Sequence, residues 1–283
     1  MLETPMTRAS ELQLSSGRLH ALRAGPEGGS PVICVPGLSA NARSFDAIAE
    51  TLAGEGRQVV ALDLRGRGLS PATAPGTHGW RRHAEDVLEA ATKLGFASFD
   101  LVGHSMGAFV SMQAAALDAG RIRRLVLIDA VGVPEPAALL PIVAAVQRLD
   151  LVYPTEDDYL SLLQRYGAAQ PWEDLWEAHY RSDLERVASG VRPRTSKAAV
   201  VEDIVYASQQ DARSFWPFLT MPTLLVRAAR PLLPGTGFIV GAQLRDAFLA
   251  AVSSAEGVEI DANHYGVMAH PDSLRAIAGF LTC

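Results

Sequence analysis

The chain has 283 residues, enough for one large domain or two small ones, and 48% of them are hydrophobic, ample for a buried sheet. A formal net charge of −6 argues against a basic face for nucleic acid or anionic lipid. Two cysteines, Cys34 and Cys283, do not make a disulfide framework, and no run of about 18 apolar residues suggests a membrane span.

Glu3, Arg8, Glu11, Arg18 and Arg23 interrupt the first thirty residues, so no signal peptide is expected and cytoplasmic residence is the default. Segments 12–14 and 18–23, joined at Ser16-Gly17, read as an opening hairpin. Buried strands are predicted at 32–35, 58–62, 99–102 and 125–128, with helices near 44–53, 80–94 and 106–118 between them. After a long interruption come a strand at 223–226, a helix near 242–252, a strand at 258–260 and a closing helix from Pro271. Alternating strands and helices predict an α/β fold: a mostly parallel sheet of about eight strands, covered by helices on both faces. The interruption, 134–220, reads as helical rather than strand-like, at 139–149, 159–166, 172–184 and 198–207, broken by Pro154, Pro171 and Pro193. The expected division is therefore a core of 1–133 and 221–283 with a helical insertion of 134–220. Neither a repeat nor a low-complexity tract is visible.

Between an apolar strand-like stretch and an alanine-rich helical one stands Gly103-His104-Ser105-Met106-Gly107, a G-x-S-x-G nucleophile elbow. A turn tight enough to push the serine hydroxyl out of the backbone brings the residues two before and two after it against neighbouring chain. Glycine at both places removes the Cβ that would collide. From this motif the chain resembles the α/β-hydrolase family. Pro31-Val32-Ile33-Cys34-Val35-Pro36-Gly37-Leu38 resembles that family's strand and oxyanion loop. Asp63-Leu64-Arg65-Gly66-Arg67-Gly68-Leu69-Ser70 resembles its D-x-R-G-x-G-x-S signature, and Asp261-Ala262-Asn263-His264-Tyr265 its histidine loop. The resemblance spans nearly the whole chain and is far more specific for the fold than for a substrate. It implies that 134–220 is a helical cap over an active site.

Ser105 needs an adjacent base to become a nucleophile. Of seven histidines only His264 lies in a loop after the last predicted strand, where the sheet would point it at the elbow; His104 is assigned a packing role. The acid is less direct. In many members of the family it follows the seventh strand, but no Asp or Glu stands between Asp211 and Asp246. Asp129 ends the sixth strand and is taken as the acid, with Glu135 the runner-up; the order Ser105, Asp129, His264 is the family's nucleophile–acid–base order. Backbone N–H groups of Leu38 and Met106 are expected to form the oxyanion hole. The family's usual His-Gly is here Pro36-Gly37, which removes a loop donor. Asp63 and Arg65 are given a structural role. Arg192 in the insertion, Arg230 in the loop that lacks the usual acid, and Trp172 are the candidate substrate contacts, since a guanidinium matches a carboxylate with paired donors.

The sequence therefore predicts a serine hydrolase that cleaves a small-to-medium carboxylic ester or lactone through an acyl-enzyme. It expects a small-molecule substrate, neither nucleic acid nor membrane as partner, no metal and no cofactor; oligomeric state is not legible. Amide or carbon–carbon bond hydrolysis would use the same triad, and a receptor-like protein with little turnover is the alternative outside enzymes.

Overall fold

The computed structural model describes residues 8–282. Its main sheet has eight strands in the order β1-β2-β4-β3-β5-β6-β9-β10. These are β1 Arg8–Leu14, β2 Gly17–Ala24, β3 Pro31–Val35, β4 Gln58–Leu62, β5 Phe99–His104, β6 Ile122–Ile128, β9 Thr223–Ala228 and β10 Ala255–Ile260. The β1–β2 and β2–β4 pairs are antiparallel and the remaining pairs parallel. Interior strands read as near-continuous apolar runs because helices cover both of their faces. Their side chains divide by period two: Ile33, Val35, Val60 and Leu62 join one core, and Val32, Cys34, Val59 and Ala61 the other. The first core is closed by α2 (Trp80–Lys93) and α3 (Met106–Asp118), the second by α1 (Asp46–Gly54) and α9 (Pro271–Thr282). Edge strands behave differently. β1 alternates exposed and buried positions, and β10 carries exposed Glu256 and Glu259, which discourage pairing with another chain.

Chain order places a crevice. From β3 the chain moves outward to β4, then returns to the other side of β3 as β5. Helices on either side of that reversal diverge, so the loops leaving the carboxyl ends of β3 and β5 border an open cleft. Ser105 follows β5, and Gly37 and Leu38 follow β3.

Between β6 and β9 lie α4 (Pro136–Gln147), α5 (Glu156–Tyr166), α6 (Asp174–Ser182) and α7 (Lys197–Ser208). One expectation fails here. The inserted stretch is not purely helical: β7 (Leu184–Val187) and β8 (Gly190–Pro193) form a two-stranded antiparallel hairpin. Four-residue strands are too short for alternation to stand out, and Leu184 belongs to the hairpin rather than to the preceding helix. The hairpin is fixed from outside. Tyr153 exchanges two 2.8 Å backbone hydrogen bonds with Val191, and a Cβ on Gly190 (φ +143) would lie 2.0 Å from the Tyr153 carbonyl oxygen. Near the end of the chain, α8 (Ala242–Ala251) precedes β10.

Candidate active site

The elbow is built by two glycines. A Cβ on Gly103 would come within 2.3 Å of the Gly107 carbonyl oxygen, and one on Gly107 within 1.9 Å of that of Val35. Between them Ser105 adopts φ 56 and ψ −122, a conformation that side chains rarely take and that functional turns retain. Its N–H donates to the Ile128 carbonyl at 3.0 Å, so the strained residue is still tied to the sheet.

Asp129, one residue past β6, also has positive φ (49°) and is buried. Its Oδ2 lies 2.8 Å from His264 Nδ1, and its Oδ1 accepts the Ala228 N–H at 3.0 Å. Thus the end of β9, which carries no carboxylate, contributes a donor to the carboxylate on β6. Burial raises the Asp129 carboxyl above its ordinary range, against the lowering effects of His264, the Ala228 N–H and Arg227. With an ionised carboxylate as acceptor, Nδ1 of His264 carries the proton and Nε2 is left as the basic nitrogen. Ser105 and His264 line one cavity, with no hydrogen bond between their side chains among the described residues. Catalytic contacts commonly tighten only when substrate is bound.

His104 turns away from this chemistry. Its Nε2 donates to the His264 carbonyl at 3.0 Å, with the two rings 4.5 Å apart. Burial, with His264 as a neighbour, pushes the His104 ring well below the usual histidine range and holds it neutral. The His264 loop is shaped by Asn263: Oδ1 accepts the N–H groups of Tyr265 and Gly266, and Nδ2 donates to the carbonyls of Ala168 and Leu232. No sequence signal singled out Asn263, although its place beside the histidine was available to read.

Leu38 and Met106 both border the cavity. Met106 is the first residue of α3, so its N–H has no acceptor within the helix. The Leu38 carbonyl accepts from Arg67 Nε at 3.1 Å, which orients this peptide from behind. Arg67 is fully buried and also pairs with Asp203 on α7. The signature motif therefore reaches the loop after β3 through its second arginine, a link that motif reading missed. Asp63 and Arg65 do not pair with each other. Asp63 holds His20 and the N–H groups of Ala42 and Leu69, while Arg65 grips Asp86 with two bonds of 2.5 and 2.8 Å.

The cavity has a volume of about 440 Å³ and is mostly apolar, with Trp80, Phe109 and Ile239 from the core facing Ile142, Val146 and Ile204 from the insertion. None of the three expected substrate contacts, Arg192, Arg230 and Trp172, lines it. Arg192 is engaged by Glu185 at 2.7 Å and Arg230 by Asp261 in two 2.6 Å bonds, both at the exposed surface. Trp172 stacks on Tyr180 with ring centres 5.8 Å apart, holding part of the insertion together. The basic residue that does line the cavity is Arg148. Glu135 is occupied by the Phe238 N–H at 2.9 Å, away from His264. Among the described residues, no three His, Cys, Asp or Glu side chains gather at metal-binding spacing. No helix among them is long and apolar enough to cross a membrane.

Comparison with known proteins agrees with this fold. The family model described as alpha/beta hydrolase fold matches residues 30–271. A stretch of 112 residues is 41% identical to N-formylmaleamate deformylase from Pseudomonas putida, covering 40% of this chain and 41% of that protein. The match thus spans well under half of that relative's length. An alpha/beta hydrolase from Novosphingobium aromaticivorans superposes with a TM-score of 0.81 at 26% identity, covering 97% of this chain and 98% of that one. E-2-(Acetamidomethylene)succinate hydrolase gives a TM-score of 0.86 at 24% identity, covering 98% and 99%, a likeness of fold alone.

Proposed function

The chain belongs to the alpha/beta hydrolase family, and on that premise we propose that it is a serine hydrolase acting on a small-to-medium carboxylic ester or lactone. In this reading 134–220 is a cap that roofs the cavity. Ser105 Oγ attacks the carbonyl carbon as His264 Nε2 takes its proton, and Asp129 stabilises the imidazolium through Nδ1. The carbonyl oxygen becomes an oxyanion received by the N–H groups of Leu38 and Met106. As the tetrahedral adduct collapses, the bond to the leaving oxygen breaks and Nε2 returns the proton to it. Water, deprotonated by the same nitrogen, then releases the acid and restores Ser105.

The observation that carries the proposal is the 2.8 Å contact of buried Asp129 with His264, whose ring lines the same cavity as Ser105. Fluorophosphonate labelling combined with hydrolysis of short p-nitrophenyl esters tests it. Wild type should label and turn over, and Ser105→Ala should do neither. A wild-type protein inert in both assays would favour a receptor-like role. Amide hydrolysis by the same groups is the second reading. It is favoured by the partial match to a protein named as a deformylase, and a matched pair of ester and amide substrates separates the two.

A further inference from the structure

Two charged side chains other than the proposed triad border the cavity, and they differ in one respect. Asp203 is satisfied by Arg67, by His83 and by the Gly79 N–H. Arg148 has no carboxylate within ion-pair distance among the described residues. Its Nε donates to the Tyr159 hydroxyl at 3.1 Å, and its two terminal nitrogens donate to the Ala145 carbonyl at 2.5 Å and to Ser39 Oγ at 3.4 Å. All three acceptors are neutral. A guanidinium carries five N–H groups, so two remain to be used. Asp183 is close enough to feel this charge, but it accepts from Thr195 at 2.9 Å, and burial pushes it up to about 7. His179, also on the cavity wall, is pushed down to about 3 by burial and then by Arg148 and Arg43, so it adds no second cation.

Resting on the hydrolase reading of Ser105, we propose that Arg148 is the anion-recognition residue of this cavity. The substrate class is then an acyl compound bearing a carboxylate a short spacer from the scissile carbonyl. A cation facing apolar walls without an ion-paired carboxylate is costly, and a ligand carboxylate with two acceptor oxygens fits both the charge and the free donors. One carboxylate neutralises the one cation, whereas a phosphoryl dianion would bring an uncompensated charge into the same apolar space. The spacing is set by Ser39. It follows Leu38, the proposed oxyanion donor, and adjacent Cα atoms lie about 3.8 Å apart. The carboxylate is therefore expected about two to four methylenes from the carbonyl, by the reach of an extended chain.

The test compares p-nitrophenyl half-esters of succinate, glutarate and adipate with neutral p-nitrophenyl esters of matched length. Wild type should prefer the best half-ester by about 10- to 100-fold in kcat/KM, chiefly through KM, the size expected of a charge-assisted hydrogen-bonded pair. Arg148→Gln should abolish the preference, and Arg148→Lys should keep part of it as a point charge without the paired donors. Because the preference is a ratio within one preparation, it does not depend on how much of a variant folds. Equal rates on charged and neutral esters in wild type, or an undiminished preference in Arg148→Gln, would overturn the proposal. If no ester is hydrolysed and Ser105 is not labelled, the hydrolase reading has failed instead. Titration calorimetry with glutarate then decides: binding by wild type that Arg148→Gln loses sustains the anion site, and no binding by wild type removes it.

Discussion

Asp129 makes contacts that a strand-end aspartate need not make. A strand-end aspartate commonly caps the turn that follows, yet this one spends Oδ2 on His264 and Oδ1 on a backbone N–H from the neighbouring strand. The Ala228 donor matters because a second bond stops the carboxyl group from rotating away from the imidazole. Asp129→Asn preserves the shape but replaces an acceptor with an amide that can favour the wrong histidine tautomer, so kcat should fall by about 10³–10⁴-fold. Glu135→Gln should leave turnover near wild type, since Glu135 bonds to the Phe238 N–H instead. Steady-state assay of both variants decides, and the reverse outcome would move the acid to Glu135. The Asp129–His264 contact was legible because the proposed chemistry asks for particular residue types at strand ends. Arg148 was not. In Gln147-Arg148-Leu149-Asp150 it looks like a solvated residue after a helix, and its contacts are with Ser39 and Tyr159, which are far from one another in the chain.

Elements of the insertion are fastened to the core by buried charge. Arg67 lies between β4 and α2, Asp203 sits on α7, and both side chains are fully buried. Burial alone would raise the Asp203 carboxyl, but His83 and Arg67 outweigh it and hold it well below the ordinary value. Removing one partner strands the other charge in the interior, so Asp203→Asn should cost about 3–5 kcal/mol in urea unfolding. Replacing both, as Arg67→Met with Asp203→Leu, should cost less than the sum of the two single changes. Strict additivity would show that the pair is not energetically coupled. Because Arg67 also holds the Leu38 carbonyl, Asp203→Asn should lower kcat as well. The long helices of the insertion were readable from apolar periodicity, but their attachment was not, since motif and partner stand 136 residues apart. The β7–β8 hairpin escaped for a related reason: its support comes from Tyr153, outside the hairpin itself.

For the whole molecule, the buried histidines dictate how the fold responds to acid. His83, His104 and His179 are all held below the usual histidine range by burial, with His179 pushed down to about 3. His179 is therefore neutral when folded and takes up a proton on unfolding once the pH falls below 6.5. At this site the unfolded chain binds more protons in that window, so the His179 contribution to stability rises with pH and is lost as pH falls from 6.5 towards 3. Asp46 and Asp183, raised by burial to about 6 and about 7, act in the opposite sense, because their folded carboxyls retain protons that the unfolded chain releases. The net profile is therefore a contest, and a single substitution isolates one side of it. His179 Nδ1 contacts Asn41 Oδ1 at 3.1 Å, a bond that the glutamine amide can replace without titrating. Between pH 7.5 and pH 5 the His179 contribution should weaken wild type by roughly 2 kcal/mol, a loss that His179→Gln should not share. Urea unfolding of both proteins at the two pH values reads this difference directly, with the aspartate contributions cancelling in the comparison. If the two proteins lose the same stability on acidification, His179 is not held neutral by its burial, and the acid response must be carried by the other histidines.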